Sequence, residues 1–317
     1  MTFGEPGKDG VRVDDLASIE AILDVFLKHG HREVDTARNY GAGTSEQALG
    51  KIDWKEKGIL METKLYPTRA PHPVLGSRSH SPEDLRKYLD ISLKALNTDS
   101  LEMFYLHGPD RAVPYEVTLK VVDELYKEGK FKRFGISNYM AWEVAEIVGI
   151  CRRHGYIQPT AYQGLYNAIH RGVEPELFPA LRKFGISFYE FNPLGGGFFT
   201  GRYSSMEDKV EPGSRFDPEK MQGKRYWNEP HFNALAKLQP VVERAGLTMA
   251  EVALRWVNHH SLMRREHGDA VIIGASSLAH IEQNLVDLEK GPLPEDVVRA
   301  LDEAWADVKV HATNYFH

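Results

Sequence analysis

The feature that most constrains this chain is an alternation. Short apolar runs rich in β-branched and aromatic residues recur between stretches whose apolar residues repeat at helical spacing. Parallel strands need a crossover connection, usually a helix, so this pattern predicts a parallel sheet built from βα units. The β-like runs cover residues 31–35, 58–64, 101–107, 131–136, 160–163, 186–191 and 270–273. Asp14 and Asp15 are candidate caps for a first helix that carries Leu16, Ile19, Leu23, Phe26 and Leu27 on one face and stops at Gly30. Ser81-Pro82 opens another, with Leu85, Leu89, Leu93 and Leu96 on its buried face. Further helices are expected near Pro114, Asn138, Pro175 and Thr248, and Thr248 has capping-box spacing to Glu251. No repeat, low-complexity tract or linker interrupts the pattern, so residues 1–317 read as one domain.

In a barrel of parallel strands, side chains at the C-terminal strand ends converge on one face. Asp35, Lys64 and His107 end three of the runs, and Tyr40 follows the first of them closely. A carboxylate, an ammonium, an imidazole and a phenol would then share a site. That set suits proton donation to a carbonyl while a bound cofactor supplies hydride. Each residue alone has a plainer reading: Asp35 with Lys64 as a structural ion pair, Tyr40 as a loop aromatic, His107 as a core histidine. The four together at strand ends favour the chemical reading.

Composition excludes several classes. Lys plus Arg number 39 against 45 Asp plus Glu, a net charge of −6, so there is no global basic footprint for nucleic acid. A single cysteine, Cys151, rules out an intrachain disulfide and any CxxC site, which fits a reducing, cytoplasmic setting. The first ten residues are too polar for a signal peptide, and no apolar run approaches the ~18 residues of a membrane span. His259 and His260 are adjacent on an expected helix and point apart, so no metal site is expected. Gly195-Gly196-Gly197 is by itself a weak phosphate signal.

Two segments exceed a bare barrel. Residues 202–230 form a long stretch rich in Gly, Pro, Arg and aromatics, among them Tyr203, Phe216, Tyr226 and Trp227; a loop of that length is usually functional or disordered. Residues 294–308 read as one more helix, followed by the tail 311–317. Both could cover the mouth of a site.

The motif Val34-Asp35-Thr36-Ala37-Arg38-Asn39-Tyr40, the Lys64 run, Tyr105-Leu106-His107, Gly135-Ile136-Ser137-Asn138-Tyr139 and Tyr162-Gln163 resemble the aldo-keto reductase superfamily in order and spacing, over nearly the whole chain. Gln163-Gly164-Leu165-Tyr166-Asn167, Phe191-Asn192-Pro193-Leu194, Ile281-Glu282-Gln283-Asn284-Leu285 and Asn314-Tyr315-Phe316 are most similar to its aflatoxin-aldehyde reductase branch. The resemblance implies a (β/α)8 TIM barrel that binds NADP(H) at its C-terminal face and reduces aldehydes or ketones to alcohols. It implies Tyr40 as general acid, with Lys64 lowering the cost of the phenolate, Asp35 holding Lys64, and His107 positioning the carbonyl.

For the cofactor, the resemblance implies Ser137, Asn138 and Gln163 at the nicotinamide carboxamide and Phe191 stacked on its ring, with Asn192 beside it. Leu194, Gly196 and Arg202 would follow the pyrophosphate, with Arg215 and Arg225 as further loop cations. Ser276, Gln283 and Asn284 would take the adenosine end, where a helix starting near Ser277 presents its first amides. Small-molecule carbonyls are the expected partners, with a homodimer as a possible assembly.

Three departures qualify these expectations. Ala275, Ser276, Ser277 and His280 offer no Lys or Arg for a 2′-phosphate. His317 stands where the branch often carries arginine, which disfavours a small dicarboxylic semialdehyde. Thr2-Phe3-Gly4 resembles the segment that follows the family's first strand, so the barrel is expected to lack that strand and the N-terminal hairpin, with lower stability and readier association as consequences. Two other function classes fit the same residues: a cofactor-binding regulatory subunit with little turnover, and a Schiff-base aldolase using Lys64.

Overall fold

The computed structural model describes residues 1–68, 70, 72–211, 214–217 and 221–317. Seven parallel strands form one sheet in sequence order: β1 (Glu33–Asp35), β2 (Leu60–Leu65), β3 (Leu101–Leu106), β4 (Phe131–Ser137), β5 (Ala161–Leu165), β6 (Ser187–Phe191) and β7 (Ala270–Ile272). Around them lie α1 (Leu16–Lys28), α2 (Thr44–Gly50), α3 (Pro82–Ala95), α4 (Tyr115–Lys127), α5 (Ala141–His154), α6 (Leu177–Phe184), α7 (Met221–Tyr226), α8 (Glu229–Arg244), α9 (Met249–His259), α10 (Leu278–Glu289) and α11 (Glu295–Val308).

Among the described residues the sheet curls into a barrel-like wall of seven strands, one fewer than the expected eight. Contacts between strands that are not neighbours show the curl: Gln163 of β5 reaches Asp35 of β1, and Arg133 of β4 reaches Glu33 of β1 and Tyr189 of β6. Among the described residues β1 and β7 are the two edges and do not pair with each other. Thr2 lies beyond the end of β7, its hydroxyl donating to the Ala275 carbonyl at 2.7 Å, and Phe3 bridges to Val13.

Strand alternation sorts the side chains. Outward residues such as Met61, Phe104, Phe134 and Phe188 pack under the helices in the large core, while Met103, Tyr105, Ala161 and Tyr189 form a smaller cluster on the concave face. Glu62 and Lys64, two apart on β2, share that concave face with Tyr105, the register partner of Lys64 on β3.

The local signals mostly act as their chemistry requires. The Asp15 carboxylate accepts from Ser18 N at 2.7 Å and caps α1, whereas Asp14 plays no capping part. Ser81 caps α3 ahead of Pro82. Thr248 caps α9, but Glu251 turns to Arg255 at 2.7 Å and leaves the capping box half made. The stretch 202–230 carries α7 and the start of α8, for which Asn228 is the cap. Pro240 inside α8 obscures that helix in the sequence, because proline normally stops one. No helix among the described residues is long and apolar enough to cross a membrane.

Candidate active site

The site forms at the C-terminal ends of β1, β2 and β3. Lys64 is fully buried near the end of β2, where a charge survives only with a partner. Its ammonium donates to Asp35 Oδ2, and Gln163 Nε2 donates to the same oxygen at 2.6 Å. Burial works against the Lys64 charge, but Asp35 and then Tyr40 outweigh it, so its pKa lies above the ordinary lysine value.

Tyr40 opens a short 3-10 turn, Tyr40–Gly43, that brings its ring to 5.2 Å from Lys64 Nζ. A buried ion pair between Arg38 and Glu46 of α2 holds this turn, and Thr63 of β2 donates to the same Glu46 carboxylate at 2.7 Å. Gly43 has φ 95°, and a Cβ there would fall 1.6 Å from Arg38 Nη2, so the turn has room for nothing larger. Burial raises the Tyr40 pKa above that of a free phenol; Lys64 pulls it down without cancelling the rise. The phenol is therefore protonated at neutral pH. The sequence stressed the acidifying effect of Lys64, and the structure adds the larger opposing effect of burial.

His107 follows β3 directly, its N–H bonded to the Leu65 carbonyl at 3.0 Å. Its ring lies edge-on to Tyr40 at 5.8 Å and to Tyr66 at 5.6 Å. Burial, then Lys64, His317 and His80, push its pKa well below 6.5, so the imidazole is neutral. Nδ1 is buried and has no hydrogen-bond partner among the described residues. Asn138, at φ 65°, donates to the His107 carbonyl at 2.8 Å and to Ser137 Oγ at 3.0 Å.

Beyond this centre lie the C-terminal ends of β6 and β7 and the residues that follow them. Phe191 ends β6, and Asn192 after it donates to the Tyr226 hydroxyl at 3.0 Å. Leu194 precedes a turn in which Gly196 and Gly197 take φ of 69° and 110°. Arg215 lies between the turn after β6 and the residues after β7: a Cβ on Gly196 would lie 3.9 Å from its Cδ, one on Gly274 4.0 Å from Nη2, and Met1 Sδ is 3.8 Å from that nitrogen. Burial and the neighbouring Arg12 lower the Arg215 pKa, opposed by Tyr40.

The remaining expected residues are held differently. Arg202 forms an exposed ion pair with Glu211, away from Arg215. Ser276 bonds to His280 at 2.9 Å, Gln283 donates to Asp287 at 3.0 Å, and Asn284 is buried on α10. Arg225 reaches Thr313 Oγ1 at 3.1 Å and thereby ties the long loop to the C-terminal tail. The sequence named Arg215 only as one of several loop cations; its neighbours Ser214 and Phe216 gave no sign that it alone would reach towards Tyr40. Nor did the sequence reading single out Glu33, Glu62 and Arg133, although charged residues at inward strand positions were a readable anomaly.

The Aldo/keto reductase family profile matches residues 2–306. An aldo-keto reductase of Pseudocercospora fijiensis is 50% identical over 300 residues, covering 93% of this chain and 100% of the relative. Human aldo-keto reductase family 7 member A3 is 45% identical over 311 residues (95% and 93%). Human aflatoxin B1 aldehyde reductase member 2 is 43% identical over 316 residues (97% and 87%). The resemblance read from the motifs, including the aflatoxin-aldehyde branch, thus extends along the chain. With its strand-end constellation and these full-length matches, the chain belongs to the aldo/keto reductase family of oxidoreductases.

Proposed function

We propose that the protein reduces aldehydes or ketones to alcohols with NADPH, and that Tyr40 supplies the proton. The observation that carries this reading is the meeting of Tyr40, Lys64, Asp35 and His107 at three strand ends. A bound nicotinamide would supply the hydride. Tyr40, kept protonated by burial, donates its proton to the carbonyl oxygen as negative charge develops there. Lys64 stabilises the phenolate left behind, and Asp35 keeps that ammonium in place. His107, a neutral imidazole, has one N–H with which to orient the carbonyl oxygen.

The residues at the ends of β5, β6 and β7 suit a dinucleotide. Gln163 uses its amide N–H on Asp35 and keeps its oxygen for the carboxamide, with Ser137 and Asn138 beside it. Phe191 offers a ring at the end of β6. Leu194 and Gly196 provide a turn without bulky side chains, and Arg215 brings the cation that a pyrophosphate calls for. At the far end Ser276, Gln283 and Asn284 surround the start of α10, whose first amides favour an anion. The preference for NADPH over NADH rests on the family resemblance, because the pyrophosphate that Arg215 would meet is common to both dinucleotides. The named activity of the aflatoxin B1 aldehyde reductases favours an aldehyde substrate.

An aldolase reading is disfavoured, because a Schiff base needs a neutral amine and Lys64 is held charged by Asp35. Initial rates over an aldehyde panel with NADPH and with NADH test the proposal. It predicts oxidation of NADPH with higher kcat/KM than NADH. Equal efficiency removes the NADP preference, and borohydride trapping of substrate on Lys64 would replace reduction with aldolase chemistry.

A further inference from the structure

The steps above use Lys64 but not the polar residues packed against it on the concave face. Tyr105 brings a second ring to the ammonium, 5.7 Å from Nζ, while the Tyr40 ring stands at 5.2 Å. The Tyr105 ring is seated on Gly135 of β4, where a Cβ would lie 2.3 Å from its Cδ1. A glycine is therefore required at that point of the strand for the ring to lie where it does. The Tyr105 hydroxyl donates to Glu62 Oε2 at 2.9 Å. Arg133 in turn donates to Glu62 at 3.4 Å, to Glu33 at 2.9 Å and to the Tyr189 hydroxyl at 3.2 Å. Tyr105 and Glu62 are 0% and 1% exposed, so this tether is dry and its loss would leave a buried polar group unpaired.

Burial, reinforced by Glu62 and Asp35, keeps the Tyr105 phenol well above its ordinary pKa, so the ring stays neutral and presents an electron-rich face to a cation. Lysine is a point charge on a flexible four-carbon stem. Asp35 fixes its head from one direction only. A ring locked by Gly135 and Glu62 restricts it from another.

We propose that Tyr105 is a positioning residue of the reductase: its ring, seated on Gly135 and tethered through its hydroxyl to Glu62, keeps the Lys64 ammonium beside Tyr40. This inference rests on the reading of Tyr40 as proton donor. The groups that face the Tyr40 phenol are Lys64, Asp35, Arg215 and the His107 ring. Of these, Lys64 lowers its pKa most, so a looser Lys64 makes Tyr40 a weaker acid.

The test compares Tyr105→Leu, Tyr105→Phe and Glu62→Gln with the parent enzyme, each with its melting temperature measured. Tyr105→Leu is expected to lower kcat about tenfold with KM nearly unchanged, and Tyr105→Phe, which keeps the ring, less than about threefold. In Tyr105→Leu the alkaline limb of the kcat profile moves to higher pH. If the leucine variant does not fold, Tyr105→Phe and Glu62→Gln carry the test, with the same sign of limb shift and a smaller size. A readout independent of turnover is the Lys64 Hε resonance, assigned by its loss in Lys64→Met. Ring-current shifts should persist in Tyr105→Phe and be reduced in Tyr105→Leu. A folded leucine variant with parental kcat and an unmoved alkaline limb would overturn the proposal, even if its melting temperature fell. A parent with no carbonyl reduction would refute the proton-donor reading instead, while an unmoved Lys64 resonance would separately refute the role of Tyr105.

Discussion

The two halves of the sheet contribute to the site in different ways. β1 to β3 supply Asp35, Lys64 and His107, with Tyr40 on the turn after β1, and these residues already touch one another. Along β6, β7 and the long loop, Arg202, Ser276 and Gln283 bond to neighbours of their own. The first half is preassembled because a buried lysine cannot stand without its carboxylate. In the second half Arg202, Ser276 and Gln283 are exposed and can exchange their present partners for a ligand at little cost. Proton chemistry should therefore respond sharply to single substitutions in the first half, and binding more gradually to those in the second.

The largest break should come from Lys64→Met. It removes the charge that makes the phenolate tolerable and takes from Asp35 its lysine partner, leaving the Gln163 bond, so kcat for reduction should fall about 10²-fold or more with cofactor affinity nearly retained. A comparable loss of affinity would erase the distinction between the halves. Arg215→Ala should show the reverse pattern. NADPH binding, followed by fluorescence titration, should weaken about tenfold, in line with the loss of a charge-assisted hydrogen bond, and kcat at saturating cofactor should change less.

Acid should affect stability before neutral pH affects the chemistry. His80, His170 and His231 are buried, and burial pushes each of them down to about 4. An unfolded histidine titrates near ~6.5, so between that value and about 4 the unfolded chain binds more protons, and stability falls as pH falls. Calorimetry should show the melting temperature dropping through this window. Carbonyl reduction, with His107 already neutral and Tyr40 protonated, should stay level across neutral pH. The smallest effect is expected for Arg202→Ala. Its exposed pair with Glu211 contributes little, so NADPH affinity should change less than about twofold. A larger change would mean that Arg202 leaves Glu211 for the cofactor on binding.

The parts legible in sequence were those governed by period and by strand ends. Alternating runs predict the parallel sheet, and the strand-end rule brings Asp35, Lys64 and His107 together. What stayed hidden depended on folding of the loops and on the concave face. The Arg38–Glu46 pair that shapes the Tyr40 turn joins residues eight apart whose meeting is set by Gly41 and Gly43, and no periodicity encodes it. Arg202 and Arg215 are equivalent as letters, yet one pairs with Glu211 and the other lies beside Gly196 and Gly274. Glu62, Tyr105 and Arg133 sat inside runs read as strands, where the apolar pattern drew attention away from their shared inward parity. α8 was masked by Pro240.

The most direct measurement is a paired one on Tyr40→Phe: single-turnover carbonyl reduction and NADPH binding on the same preparation. The variant retains the aromatic ring and removes only the hydroxyl. The account predicts that reduction falls about 10²- to 10⁴-fold while the NADPH dissociation constant stays within about twofold of the parent value. Near-parental turnover would contradict it, because the proton would then come from elsewhere.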